Sequence, residues 1–431
     1  MDILRVIKNR LYQMILNLWK KGAFYVFTGS FLTKFVVFFG SMFIVRVLTK
    51  NEYGQLTYME NLYGWIYIIA GLGLTNAILR YVVLAQDIQE KYNIFQYSIR
   101  ESLKYNLVIL LCFLGLNQIY PHPSSFENLQ LLMSVMLIMM PFQYLLDSDL
   151  ALERAMFNNK RYALLAFLSS VALIWTKFLG ATVQGIFGVV FFGLASNLIF
   201  GIGFYVLARR KYFAGFKYSP PEKGLKKEMR LYSLQYMITN GIWTIFMLSD
   251  VFLLGKLCDD PTILAEYKVA YVWPGNLSIV CTAIGIFVGP YFVKNENNLS
   301  WVRTNYKKVL IGTLGLVFFV AGLMFIFAKP LILIYAGKSY ISVAPLLQLL
   351  TISAFINNGL RYTTANILAA MGQIKYNMIV SIIGIILQLS INCLMIPRFG
   401  AYGVAYTSMG VYLFMAVALF VVFRKKYFVK E

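Results

Sequence analysis

The chain has 431 residues, of which 59% are apolar and only 13% charged, with a formal net charge of +21. Soluble domains carry about a quarter charged residues, so this balance excludes an ordinary soluble fold. Cys112, Cys258, Cys281 and Cys393 show no CxxC spacing and His122 is the single histidine, so the sequence offers no pattern for a metal centre, a disulfide framework or a Ser/His/Asp triad.

In chain order, the start (residues 1–23) is basic and amphipathic. It lacks the short apolar core and small-residue cleavage site of a signal peptide, and is expected to lie at the membrane surface. Windows without any charge follow at Leu129–Leu146, Leu231–Ser249, Val269–Val293, Val309–Ala328, Tyr376–Pro397 and Phe399–Phe423. A run of roughly 18 apolar residues suffices to span the hydrocarbon core as a helix. The chain therefore reads as an all-α integral membrane protein.

The pattern predicts about twelve transmembrane helices. Six occupy Phe24–Leu48, Asn61–Leu84, Leu103–Tyr120, Asn128–Leu150, Tyr162–Leu179 and Gln184–Ala208, as a bundle over 24–208. The stretch from Tyr162 is too long for one crossing and is divided at Gly180–Gly185. A cytoplasmic linker, 209–230, carries eight Lys/Arg against two Glu and is broken by Pro220-Pro221. The second bundle, 231–423, comprises Leu231–Leu257, Val269–Val293, Val309–Ala328, Ser342–Ala370, Tyr376–Ile396 and Gly400–Phe423, followed by a basic tail, 424–431.

With the N-terminus inside, inner segments hold 28 Lys/Arg and outer loops seven. Basic residues are retained on the cytoplasmic side, so both termini are expected there. The distribution in short clusters between spans also explains the net charge without nucleic acid.

The two bundles look alike. Arg209-Arg-Lys-Tyr-Phe213 reappears as Arg424-Lys-Lys-Tyr-Phe428, 215 residues later; at the same offset Met156, Lys160, Gly185 and Gly188 meet Met371, Lys375, Gly400 and Gly403. At an offset of 214, Glu52-Tyr53 meets Glu266-Tyr267 and Arg80 meets Lys294. Six helices per half is an even number, so the halves are parallel repeats about an axis along the membrane normal, an arrangement of transporters.

Arg46–Val82, with its Arg-x-Leu, Tyr-Gly and Gly-Leu…Arg elements, resembles the signature of polysaccharide and O-antigen flippases, and Ser249–Gly255, Ala265–Tyr271, Asn366–Ile379 and Ile396–Tyr406 resemble recurring elements of that family. The resemblance spans nearly the whole chain. It implies the multidrug/oligosaccharidyl-lipid/polysaccharide exporter superfamily, V-shaped bundles around a central cavity, and transport of undecaprenyl-diphosphate-linked oligosaccharide across the bacterial inner membrane. It further implies membrane lipids, a polysaccharide polymerase and a chain-length regulator as candidate partners, no required cofactor, and coupling to a proton or sodium ion as an open expectation. A multidrug cation antiporter of the same superfamily and a membrane glycan polymerase or glycosyltransferase are the alternatives.

Charges inside spans cost about 2.5–3.5 kcal/mol each on insertion scales and mark candidate sites. Lys34 shares a polar stripe with Ser30, Thr33 and Ser41, facing either neighbouring helices or a wet cavity. Arg46 sits at the outer membrane surface, as a gate or a snorkelling anchor, and Arg80 follows Asn76 by one turn near the inner surface. Arg361 follows Asn357-Asn358, a polar surface suited to an anion or sugar hydroxyls. Asp250 is expected to bind a coupling ion or to pair with a base of the other half; Lys177 reads as an anchor, and Asp147 and Asp149, near Arg154, as a surface ion-pair cluster. The excess of basic over acidic intramembrane residues favours a diphosphate over an organic cation.

Overall fold

The computed structural model describes residues 23–428, apart from the side chains of residues 23–28, 30, 280, 283, 286 and 290. Most of the basic start, the last three residues of the tail and the Ser30 side chain of the expected polar stripe thus lie outside the described residues. All regular structure among the described residues is helical.

The first half runs α1 (Ala23–Val47), α2 (Lys50–Tyr67), α3 (Leu74–Leu84), α4 (Ile88–Ile119), α5 (Leu129–Ala155) and α6 (Asn159–Tyr212). The second runs α7 (Lys223–Cys258), α8 (Pro261–Asn276), α9 (Ser278–Lys294), α10 (Leu299–Ile326), α11 (Ala328–Ala336), α12 (Ala344–Phe355), a π-helical segment (Ile356–Tyr362), α13 (Thr363–Ala370), α14 (Ile374–Phe399) and α15 (Ala401–Tyr427). Eight helices among the described residues are long and apolar enough to cross a membrane, counting Lys338–Ala370 as one, or nine with the bent pair α2–α3. All twelve expected segments fall on helix.

Several helices begin earlier than apolarity alone suggests. Thr49 and Glu52 form a capping box that starts α2 at Lys50, and the Asp87 carboxylate caps α4 at Ile88 by accepting from Glu90 N. The basic linker is shorter than expected for the same reason: Lys and Arg are good helix formers, so α6 continues through Tyr212 and α7 begins at Lys223, on the far side of Pro220-Pro221. What remains of it is fastened to α4. Gln89 Nε2 donates to Lys217 O at 2.8 Å, Ser219 N donates to Asn93 Oδ1 at 3.0 Å, and Arg100 lies 4.2 Å over the Tyr218 ring.

The internal repeat is written in the backbone. The 54-residue α6 breaks at Gln184–Gly185, where Gly185 takes φ 59°, ψ −136°; its partner Gly400, between α14 and α15, takes φ 55°, ψ −132°. A residue with a Cβ rarely adopts this region. Beyond each break the chain doubles back tightly: a Cβ on Gly188 would lie 1.9 Å from Gly180 O, and one on Gly403 would lie 2.5 Å from Met395 O. The ends of α5 and α13 match as well. Met156 and Met371 have φ of −82° and −84°, Phe157 and Gly372 follow at 56° and 73°, and Asn158 N and Gln373 N reach back to the Glu153 and Leu368 carbonyls at 2.9 and 2.8 Å. This is the six-to-one closure of a Schellman turn.

The chain forms two compact units: residues through Glu52 with Met59–His122 and Glu127–Ile245, and Tyr53–Tyr58 with Pro123–Phe126 and Phe246 onward. The expected boundary at the linker is displaced into α7, because its first part packs into the core of the first unit, where Met229 is fully buried with Phe95, Leu152 and Phe213. In the second unit Tyr306 stacks on Phe423 at 3.9 Å, and Phe428 packs against the same core. The repeated Tyr-Phe ends, 212–213 and 427–428, thus fold back onto their own bundles.

Replacing Gly188 by Leu should cost about 1–3 kcal/mol through overpacking at the helix crossing. Gly312, with nothing near its Cβ position, should tolerate Ala without loss; thermal unfolding of the two variants in detergent checks the contrast. A second expectation concerns Asp259, between α7 and α8, whose carboxylate accepts from Ser124 Oγ, Ser125 Oγ and Ser125 N. These bonds, Ser125's first, hold its pKa below the usual range. A depressed folded pKa stabilises above the unfolded value, about 3.9, and that stabilisation is lost as pH falls through the lower folded value. Asp259→Asn should flatten the melting temperature between about pH 4 and pH 2.

Candidate functional site

In the first unit, the helix is interrupted between α2 and α3. Gly71 and Leu72 take φ of 55° and 48°, Gly73 takes 75°, and the two helices are bent by 49°. Freed backbone groups cannot face lipid unsatisfied, and here Gly71 N donates to Asn106 Oδ1 at 2.6 Å while Leu72 N returns to Ile69 O at 3.0 Å. A Cβ on Gly71 would overlap the Tyr144 ring, so the break is packed tightly on α5.

Polar side chains gather along this break. Tyr67 OH donates to Asp147 Oδ2 at 2.6 Å, Tyr63 OH donates to Gln143 Oε1 at 2.8 Å, and Tyr144 OH and Ser102 Oγ share a bond of 2.7 Å. Beside them lies a cavity of about 190 Å³, walled by the break, by α5 and by Tyr236, Asn240 and Thr244 of α7. Asn76 is the one proposed site residue in its wall. Arg80, one turn on, is exposed and lies 4.9 Å over the Tyr232 ring.

The acids of α5 are not surface groups. Asp149 is 1% exposed with neither carboxyl oxygen bonded, and Glu153 pairs with Arg161 at 3.1 Å while accepting from Tyr212 OH. Arg154, the partner the sequence suggested, is exposed over Tyr162. The error arises because α5 lies under α6, which brings Tyr212, 59 residues away, and Arg161 rather than Arg154 to Glu153. Lys177 is likewise no simple anchor: its Nζ reaches Glu60 Oε1 at 2.8 Å, an ion pair between α6 and α2.

Two further candidates lie on α1. Lys34 is exposed beside Phe31 and Phe35, while the buried face of the helix runs through Gly29 and Gly40, which press on Ala163 and Ile174 of α6. Thr33 is half-buried, and Ser41 Oγ donates back to Phe38 O, so the expected stripe is divided between environments. Arg46 is exposed in the last turn of α1, where a cation complements the helix dipole.

In the second unit, Asp250 is held by neutral donors. Gln388 Nε2 and Asn392 Nδ2 reach Oδ1 at 2.9 and 2.8 Å, and Tyr267 OH reaches Oδ2 at 3.4 Å. Gln388 and Asn392 are themselves buried, one turn apart on α14. All three of these partners are neutral and belong to the second unit. The sequence signal for this network was present: Gln388 and Asn392 stand four residues apart in a window without charge.

Arg361, 4% exposed, sits in the π-helical segment with Asn357, whose Oδ1 accepts from its Nε at 2.6 Å; its guanidinium lies 5.8 Å from the Tyr412 ring centre. Asn358 is also buried and donates to Ala354 O, with its own carbonyl receiving Cys281 Sγ and Thr363 Oγ1. The structure therefore brings Asn357, Asn358 and Arg361 together, places Asn76 and Arg80 on α3, and puts Asp250 in a separate network of the second unit.

A family model described as "Polysaccharide biosynthesis protein" matches residues 19–296. No curated protein sequence matches. Among solved structures, the fold is similar to a lipid II flippase, MurJ, in an inward closed conformation, with a TM-score of 0.73 and 12% identity over 93% of this chain and 87% of that one. An inward-facing multidrug resistance transporter of the MATE family gives 0.69 and 14% over 91% and 94%. A MOP superfamily transporter from Pyrococcus furiosus Vc1 gives 0.62 and 14% over 94% of each chain.

Lys177→Leu should leave Glu60 less well compensated and lower stability by about 1 kcal/mol, close to the value of an exposed pair because Glu60 is 41% exposed. Exchanging the two residues, Glu60→Lys with Lys177→Glu, should recover most of the loss. Unfolding of the single and double variants in one detergent measures both effects.

Proposed function

The chain belongs to the polysaccharide biosynthesis protein family, and from that premise we propose that it is a flippase for an undecaprenyl-diphosphate-linked oligosaccharide, the repeat unit of O-antigen or another surface polysaccharide. The observation that carries this reading is the conjunction of that family match with a fold shared, over 93% of the chain, with a lipid II flippase. Transport would run from the cytoplasmic to the periplasmic leaflet of a bacterial inner membrane by alternating access, with both termini cytoplasmic, as the excess of Lys/Arg on one side supports. Lys34, Arg46, Arg80 and Arg361 supply the positive charge that a diphosphate requires, and Asn76, Asn357 and Asn358 offer hydrogen bonds to sugars. Asp250, in its cage of neutral donors, is the proposed point for proton or sodium coupling. A polysaccharide polymerase and a chain-length regulator are the proposed partners.

A second reading, extrusion of cationic compounds, is favoured by one observation: the cavity of the first unit contains a carboxyl, Asp147, and no Lys or Arg among its lining residues. Pocket polarity is a fair discriminator, since the Pyrococcus furiosus transporter is described as having a binding pocket of reverse polarity that suggests a different function.

A clean deletion should accumulate lipid-linked glycan in the cytoplasmic leaflet and lose surface glycan, with unchanged susceptibility to cationic dyes. Lys34→Ala and Arg361→Ala at wild-type protein levels should each reduce export about tenfold, the scale of one charge-assisted hydrogen bond of 1.5 kcal/mol or more. Normal surface glycan in the deletion, with new dye sensitivity, supports extrusion instead.

A further inference from the structure

The 190 Å³ cavity of the first unit has a polarity that identifies what it can hold. Most of its side-chain donors are already used. Tyr67 OH is committed to Asp147, Asn76 Nδ2 to Gly73 O, Asn240 Nδ2 to Tyr236 O, and Thr244 Oγ1 to Asn240 O. Because each of these two amides donates to a backbone carbonyl, which can only accept, its orientation is fixed, and its oxygen and one N–H remain. Among the described residues, what the chamber has to offer is therefore mainly acceptors: Asp147 Oδ1, Asn76 Oδ1, Asn240 Oδ1 and the Thr244 lone pairs. Tyr236 OH and the second N–H of each amide can donate.

This inventory excludes an anion. No Lys or Arg lines the chamber and a carboxyl does, so a diphosphate would meet repulsion and unanswered acceptors. A purely apolar group would leave the acceptors without partners, at about 1–3 kcal/mol for each buried one. A bare metal ion is a poor match, because one carboxyl and scattered neutral oxygens around so large a volume do not form a coordination sphere; no cluster of three His, Cys, Asp or Glu occurs among the described residues. The remaining chemistry is a ring-sized group with several hydroxyl or amino donors and a face for aromatic contact. Tyr67, Tyr144 and Tyr236 supply that contact. Stacking of apolar ring faces on aromatic side chains while polar edges meet Asn and Asp oxygens is how a monosaccharide is bound.

We propose that the chamber beside the α2–α3 break binds one sugar residue of the transported glycan, with Asp147 favouring a sugar that carries a free amino group. The inference rests on the flippase reading and adds to it a division of labour: the sugar is held in the first unit by acceptors, and the diphosphate elsewhere by basic residues. It also gives the helix break a use. The left-handed residues 71–73 turn Asn76 and the α3 backbone into the chamber wall, which a continuous helix would not do.

The test uses the purified full-length protein in detergent, with glucosamine, glucose and tetramethylammonium as probes in saturation-transfer NMR. Glucosamine should bind with a Kd of about 50 mM or better, and more tightly than glucose. Asp147→Asn should weaken glucosamine about tenfold, the loss expected for a charge-assisted bond, while glucose changes less than about twofold. Asn240→Leu should weaken both sugars. A chamber that ignores both sugars overturns the proposal, as does sugar binding untouched by either substitution. Displacement of glucosamine by tetramethylammonium, with no glucose binding, identifies a simple cation site and also overturns it. Melting curves of both variants confirm folding, and Thr244→Val serves as a milder second probe if Asn240→Leu fails to fold. Because these measurements need no export, their failure is separable from failure of the flippase reading, which the deletion strain tests.

Discussion

Every break in a membrane helix must have its backbone groups answered by other protein atoms, and the architecture turns on how this chain meets that demand. At Gly185 the left-handed turn is met by Glu52, whose Oε1 accepts from Ile186 N at 3.1 Å while Oε2 serves the capping box on Thr49. One carboxylate thereby starts α2 and answers the first amide of the second leg of α6. At the α2–α3 break an asparagine from α4 does the equivalent work. Within a span such groups have no solvent to fall back on, so Asn106 answers backbone need first; the Gly185 turn lies between two crossings, where Glu52 ties it to the start of α2.

The same constraint explains why the two bundles are related in sequence at isolated positions and nowhere else. Apolar residues facing lipid or packed in a core can be exchanged at little cost if volume is kept. The positions that survive at one offset include several with a specific structural demand: Gly185 and Gly400 for their backbone conformation, Gly188 and Gly403 for closeness of approach, and the Tyr-Phe ends for closing each core. Matching dihedrals within a few degrees at Gly185 and Gly400 carry more weight than the sequence matches that first suggested the repeat.

Legibility in the sequence followed the same division. Hydrophobic windows located the spans, and the division near Gly180–Gly185 emerged from length alone. The polar first turns of α2 and α4 were misread as loop because capping residues, not apolar ones, begin those helices. The surroundings of the charges were not legible: Asp147 bonds to Tyr67 and Lys177 to Glu60, both remote in sequence. Tyr67 itself carried no signal, being one of 30 tyrosines in the chain; only the Gly-Leu-Gly run at 71–73 hinted that something polar must sit beside it.

The second unit surrounds a buried carboxylate and a buried cation with neutral polar side chains. Asp250 is enclosed by amides and a phenol, and Arg361 is turned onto Asn357 and the Tyr412 ring. Neutral hydrogen-bonding partners offset part of the desolvation cost of each group. The π-helical segment shifts the register of Thr363–Ala370 relative to Ala344–Phe355. The Asn357–Arg361 contact spans four residues, a spacing that an α-helix also brings together, so what the wider turn changes is the face that Thr363–Ala370 presents beyond Arg361.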